Sequence, residues 1–100
     1  MPPDQHVNPA EKITRIGRHR DNDVIVSDID VSKQHAELRR TAPRRYSIVD
    51  VGSRTGTFVN GTRVTQQELK EGDIIAIGHV TFRLAGGELI EYLDDGRSPG

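Results

Sequence analysis

The sequence predicts an all-β fold, a sandwich or barrel assembled from many short strands. Three observations carry this expectation. Short runs rich in β-branched or aromatic residues recur along the chain, residues that favour turns separate them throughout, and no long stretch carries the apolar period of an amphipathic helix.

Taken in order, residues 1–12 hold several prolines and an asparagine without a periodic apolar pattern, and read as a flexible lead-in. Strand-like runs follow at residues 13–16, 24–26, 36–38, 46–51, 57–59, 62–64, 74–77, 80–84 and 89–93. Between 57–59 and 62–64 stands Asn60-Gly61, a pair that tolerates positive φ at both positions and so specifies a tight type I′ hairpin. Gly86-Gly87 predicts a second hairpin that closes the domain, with Val80, Phe82 and Leu84 alternating toward the core. Before residue 74, Glu71-Gly72-Asp73 reads as a turn with Gly72 at φ > 0, and Leu69 as the apolar plug of the preceding loop. Residues 94–100 read as a flexible tail, which leaves 13–93 as one domain.

Composition narrows the function classes. Only 33% of residues are hydrophobic and 4% aromatic, so the core is modest. There is no cysteine, and therefore no disulfide, thiolate nucleophile or cysteine-based zinc site. The first residues lack the hydrophobic centre of a signal peptide and no apolar run reaches membrane-spanning length, which suggests a cytoplasmic chain. A formal net charge of −1 argues against nucleic acid as a partner, so any anion site must be local. The cations do cluster: Arg15, Arg18, His19 and Arg20 early, then Arg39, Arg40, Arg44 and Arg45, the second group reading as a solvated face.

Catalytic machinery is not visible. Ser32 and His35 are three apart, but nothing resembles a nucleophile elbow, and Gly52-Ser53-Arg54-Thr55-Gly56 lacks the Gly-Lys-Ser/Thr of a nucleotide loop. His6, His19, His35 and His79 are scattered, with no metal-binding motif, and no cofactor is expected. What remains suits an anion. Arg18 follows Gly17 at the end of the first strand and offers a planar fork of donors; Ser32 and Lys33 lie on a loop; residues 50–57 are rich in small donors.

In combination, Gly17-Arg18, Ser32-x-x-His35, Ser53-x-x-Gly56-Thr57-Phe58-Val59-Asn60-Gly61 and Gly72-Asp73, in that order and spacing, resemble the forkhead-associated (FHA) domain family over residues 13 to about 85. The resemblance implies a β-sandwich of about eleven short strands in two sheets and a phosphothreonine-peptide ligand held by the loops at one end. It makes Arg18 the residue that grips phosphate and Ser32 a donor to a phosphate oxygen. Lys33, Ser53, Arg54 and Thr55 complete the implied phosphopeptide site, and Gly17, His35, Asn60 and Gly61 shape it. The alternative the resemblance leaves open is a phosphate-independent docking or intramolecular module of a larger protein.

Two departures from the family pattern stand out. The family usually has Asn where Thr55 stands, which puts contact with the peptide backbone in doubt. It also has one or two further strands before the segment matching residues 13–18, so a reduced N-terminal edge is expected here, with residues 88–93 folding back from Gly86-Gly87 to take the missing strand's place; the alternatives are a chain that is part of a larger protein or a strand supplied by a partner. The implied partners are a phosphothreonine-bearing protein and, indirectly, the serine/threonine kinase that modifies it.

Overall fold

The computed structural model describes residues 12–92. These form ten strands: β1 Lys12–Gly17, β2 Val24–Ile25, β3 Ala36–Ala42, β4 Arg45–Asp50, β5 Thr57–Val59, β6 Thr62–Val64, β7 Gln66–Leu69, β8 Ile74–Ile77, β9 Val80–Ala85 and β10 Glu88–Glu91. They assemble into two five-stranded sheets, ordered β2-β1-β3-β4-β7 and β10-β9-β8-β5-β6. All pairings are antiparallel except β1 with β2. Among the described residues no helix is long and apolar enough to cross a membrane.

The core lies between the sheets and follows from alternation along the strands. Ile16 of β1, Ala36 and Leu38 of β3, Ile48 of β4 and Leu69 of β7 meet Val59, Ile75, Ile77, Phe82 and Leu84 from the other sheet. Each large side chain so buried contributes about 1.5–3 kcal/mol of transfer free energy. The β5–β6 hairpin turns at Asn60 (φ 50°) and Gly61 (φ 87°), as the Asn-Gly pair predicts. Gly72 also has positive φ, and the Asp73 carboxylate accepts from Lys70 N–H at 2.8 Å across that turn.

Three elements differ from the sequence reading. Lys12 is the first residue of β1 rather than part of the lead-in. Residues 66–69 form an edge strand, where the sequence suggested a loop plugged by Leu69; Gln66, Gln67 and Glu68 are exposed, so no apolar alternation marked it. β3 runs four residues further than expected, through Arg39 and Arg40, to a bulge between Arg40 and Ala42. Residues 88–91 do fold back from the Gly86-Gly87 turn, pairing with β9 as the edge strand. The expected lead-in over residues 1–11 and the tail over 94–100 lie outside the described residues.

Candidate functional site

One end of the sandwich gathers the end of β1, the loop before β3 and the loop between β4 and β5. Gly17 makes the first approach possible: a Cβ there would lie 2.2 Å from the Lys33 carbonyl oxygen and 2.8 Å from Asn22 Nδ2. With no side chain in the way, Arg18 N–H donates to the Ser32 carbonyl (3.0 Å) and His19 N–H to that of Lys33 (3.2 Å). Asn22, only 7% exposed, staples the same crossing by donating to the carbonyls of His19 and Lys33, each at 2.7 Å. Arg18 and Ser32 are thus neighbours through backbone hydrogen bonds, despite their separation in sequence.

Side-chain orientation follows from further bonds. Arg18 Nε donates to the Val31 carbonyl at 3.0 Å, which anchors the guanidinium by one edge and leaves its Nη groups for a ligand. The Ser32 hydroxyl oxygen accepts the Arg54 backbone N–H at 3.0 Å, so its own proton remains available to donate. His35 is fully buried; Nδ1 accepts Ser32 N–H (3.1 Å), which leaves the proton on Nε2 to donate to the Gly56 carbonyl (2.7 Å). One imidazole thereby ties the Ser32 loop to the 50–57 loop.

Arg18, Ser32, Lys33, Gln34, Gly52 and Arg54 line a single open concavity. Three of its walls are cations, and among the described residues none of the three is paired with a carboxylate. The site can therefore hold a compact dianion with guanidinium, ammonium and hydroxyl donors.

The 50–57 loop is organised by Asp50. Its carboxylate accepts from Gly52 N–H (2.8 Å), Ser53 N–H (2.8 Å), the Ser53 hydroxyl (2.5 Å) and the Thr57 hydroxyl (2.8 Å). Burial alone raises its pKa, but these donors outweigh burial and hold the carboxyl below its ordinary value. Ser53 consequently differs from its expected role. Its hydroxyl is spent on Asp50 and on the Gly56 N–H (2.9 Å), so it builds the loop and does not line the concavity. Thr55 likewise donates its hydroxyl to the Asp30 carbonyl at 2.7 Å, joining this loop to residues 28–32. Asn60 and Gly61 stand at the far end of β5 from Thr57, where Asn60 pairs with Asp73 and Ile74; they shape the hairpin rather than the concavity.

The 28–32 loop has its own lock. Asp28 accepts from Asp30 N–H (2.9 Å), His79 N–H (2.7 Å) and the exposed His79 ring (3.0 Å). Those backbone bonds, first from Asp30 and then from His79, hold the Asp28 carboxyl below its ordinary pKa. The sequence reading took in Asp50 only as part of the 50–57 loop, without its organising role, and did not single out Asn22, Asp28 or Gln34. Aspartate and asparagine in turns are too common to signal it, and their partners are set by tertiary contacts.

A family profile described as FHA domain matches residues 14–78. The chain belongs to the FHA domain family. It is 45% identical over 74 residues to the oxoglutarate dehydrogenase inhibitor of Corynebacterium jeikeium, a match covering 74% of this chain and 49% of that protein. The chain spans about half the length of the curated relatives it matches. Among solved structures, it is similar to the FHA-2 domain of the Mycobacterium tuberculosis ABC transporter Rv1747, with a TM-score of 0.71, 34% identity and coverage of 95% of this chain and 88% of that one. It is also similar to Mycobacterium tuberculosis EmbR in complex with a low-affinity phosphopeptide (TM-score 0.67, 35% identity, 71% of this chain and 19% of that one). The two-sheet architecture expected from the FHA resemblance is the one observed, with ten strands among the described residues.

Proposed function

We propose that this FHA domain binds phosphothreonine-containing protein segments, and so makes an association conditional on a serine/threonine kinase. The observation that carries the reading is the shared concavity of Arg18, Ser32, Lys33 and Arg54, where cations paired with no carboxylate among the described residues stand beside a hydroxyl that accepts the Arg54 N–H and keeps its own proton to donate. A phosphoryl group brings roughly −1.5 to −2 charges and three acceptor oxygens, which these donors complement.

In this reading Arg18 holds the phosphate through its Nη groups, Ser32 donates to a phosphate oxygen, and Lys33 and Arg54 add charge. Gly17, His35 and Asp50 keep the three chain segments in register. Thr55 contributes less than an asparagine would: its short hydroxyl is already engaged with Asp30, leaving no amide to reach a peptide backbone. Affinity accordingly concentrates on the phosphate. The preference for threonine over serine rests on family resemblance, as does placement within a larger, cytoplasmic, multidomain context.

Calorimetric titration with one peptide in phosphothreonine, phosphoserine and unmodified threonine forms tests the reading. The phosphothreonine form is expected to bind tightest and the unmodified form not measurably. Equal binding of all three would support phosphate-independent docking instead.

A further inference from the structure

At the end of the sandwich opposite the Arg18 concavity, three residues line up directly across three strands: Lys12 of β1 faces Arg40 of β3, and Arg40 faces Tyr46 of β4. Side chains alternate along a strand, so Arg40 shares a face with Ala36 and Leu38, which are 1% and 4% exposed. Its guanidinium therefore enters the space between the sheets, at a position where the rest of β3 presents core residues. The basic run 39–45 is not one solvated face, as the sequence suggested. Arg39, on the outer face, pairs with Glu37 through Nε and Nη2 (3.0 and 2.9 Å), whereas Arg40 turns inward.

Three features mark Arg40 as more than core filling. Arg40 Nε is buried and, among the described residues, has no hydrogen-bond partner, a rare state for a native polar atom. Its directly opposed neighbour, Lys12, has the same charge, an arrangement that costs energy rather than gaining it. A β-bulge interrupts the β3–β4 register immediately after Arg40, a feature that re-aims side chains at the cost of a regular ladder. An apolar residue here would avoid the first two penalties.

The surroundings are open. Lys12, Thr14, Leu38, Arg40 and Tyr46 line a slot of about 180 Å³ together with the Gly86–Glu88 turn. Glycine at 87 matters to it: a Cβ there would lie 2.2 Å from the Tyr46 hydroxyl oxygen. Glu88, at the rim, is exposed and paired with neither cation among the described residues.

We propose that this slot is a second anion site, specific for a carboxylate. The two Nη groups of Arg40, which lines the slot, match the two oxygens of a carboxylate, while the Lys12 ammonium and the Tyr46 hydroxyl add a charge and a donor. The slot admits a small group rather than a folded surface. Its ligand therefore presents the carboxylate at the end of a short chain, either a glutamate or aspartate side chain of a partner protein or a free aliphatic acid.

The test is a nitrogen-15 NMR titration of the intact chain with acetate replacing chloride at constant ionic strength. The Arg40 Nε–H signal, assigned by its absence from Arg40→Met, and the Gly87 amide are expected to shift saturably, while the Arg18 and Ser32 amides stay still. Succinate and a blocked glutamate tripeptide form two further arms. Saturation by succinate alone identifies a free acid as ligand, and saturation by the tripeptide alone identifies a protein side chain. Lys12→Gln, at an exposed strand start, is expected to weaken the acetate response at least several-fold without unfolding the domain. Shifts that grow linearly without saturation, that appear equally in chloride, or that persist unchanged in Lys12→Gln would overturn the proposal. So would an Arg40→Met variant that melts higher than wild type while the wild type gains no thermal stability from acetate.

Discussion

Replacing Arg18 by alanine removes the guanidinium whose Nε is held by the Val31 carbonyl and whose Nη groups face the concavity. A hydrogen bond to a charged group contributes about 1.5–3 kcal/mol, so two Nη–phosphate bonds amount to about 3–6 kcal/mol. At about 1.4 kcal/mol per tenfold in Kd, that is about two to four orders of magnitude. The concavity is open to solvent, which screens charges, so the lower end, about a hundredfold, is the expected loss. The fold should persist: losing the Nε–Val31 bond costs about 1 kcal/mol, small beside the 5–15 kcal/mol of a typical domain. Isothermal titration calorimetry with a phosphothreonine peptide reads the affinity, and a thermal melt reads the fold. A folded variant whose Kd stays within about threefold of wild type would refute the assignment of Arg18 as the phosphate-gripping residue.

Further outcomes follow from the scaffold around the site. Asp50→Asn removes charge from a carboxylate that accepts four hydrogen bonds, and is expected to cost about 2 kcal/mol at neutral pH. Because the folded pKa lies below the unfolded value near 4, this stabilisation is complete above that value and lost as pH falls through the folded pKa; urea melts at pH 7 and pH 3 should show the gap between variant and wild type closing in acid. Gly17→Ala drives a methyl into the Lys33 backbone carbonyl, which cannot rotate aside, so stability should fall by about 1–3 kcal/mol and peptide affinity with it; an unchanged melt and Kd would contradict the close crossing. Deleting residues 88–100 strips β10 from β9 and removes Leu89, which packs on the core, so the melting temperature should drop measurably; a truncated chain of full stability would show that this edge needs no cover.

Much of the fold was legible because its signals are local. Asn60-Gly61 and Gly86-Gly87 announce hairpins through backbone conformations that other residues adopt at a cost, and Phe82 and Leu84 declare their buried face by alternation. β7 escaped because Gln66, Gln67 and Glu68 gain their strand character only by pairing with β4. Arg40 escaped because nothing in a run of arginines says which of them faces the core; that depends on the register with Lys12 and Tyr46.

The strand-and-turn grammar, the family, and the candidacy of Arg18, Ser32, Lys33 and Arg54 are readable from the chain alone, since each rests on residue type and spacing along it. Which donors are free is set by folding. Ser32 keeps a proton to give because Arg54 N–H occupies its lone pair, whereas Ser53 and Thr55 have spent theirs on Asp50 and Asp30. A hydroxyl has one proton, and which acceptor takes it depends on groups brought near by folding rather than by sequence.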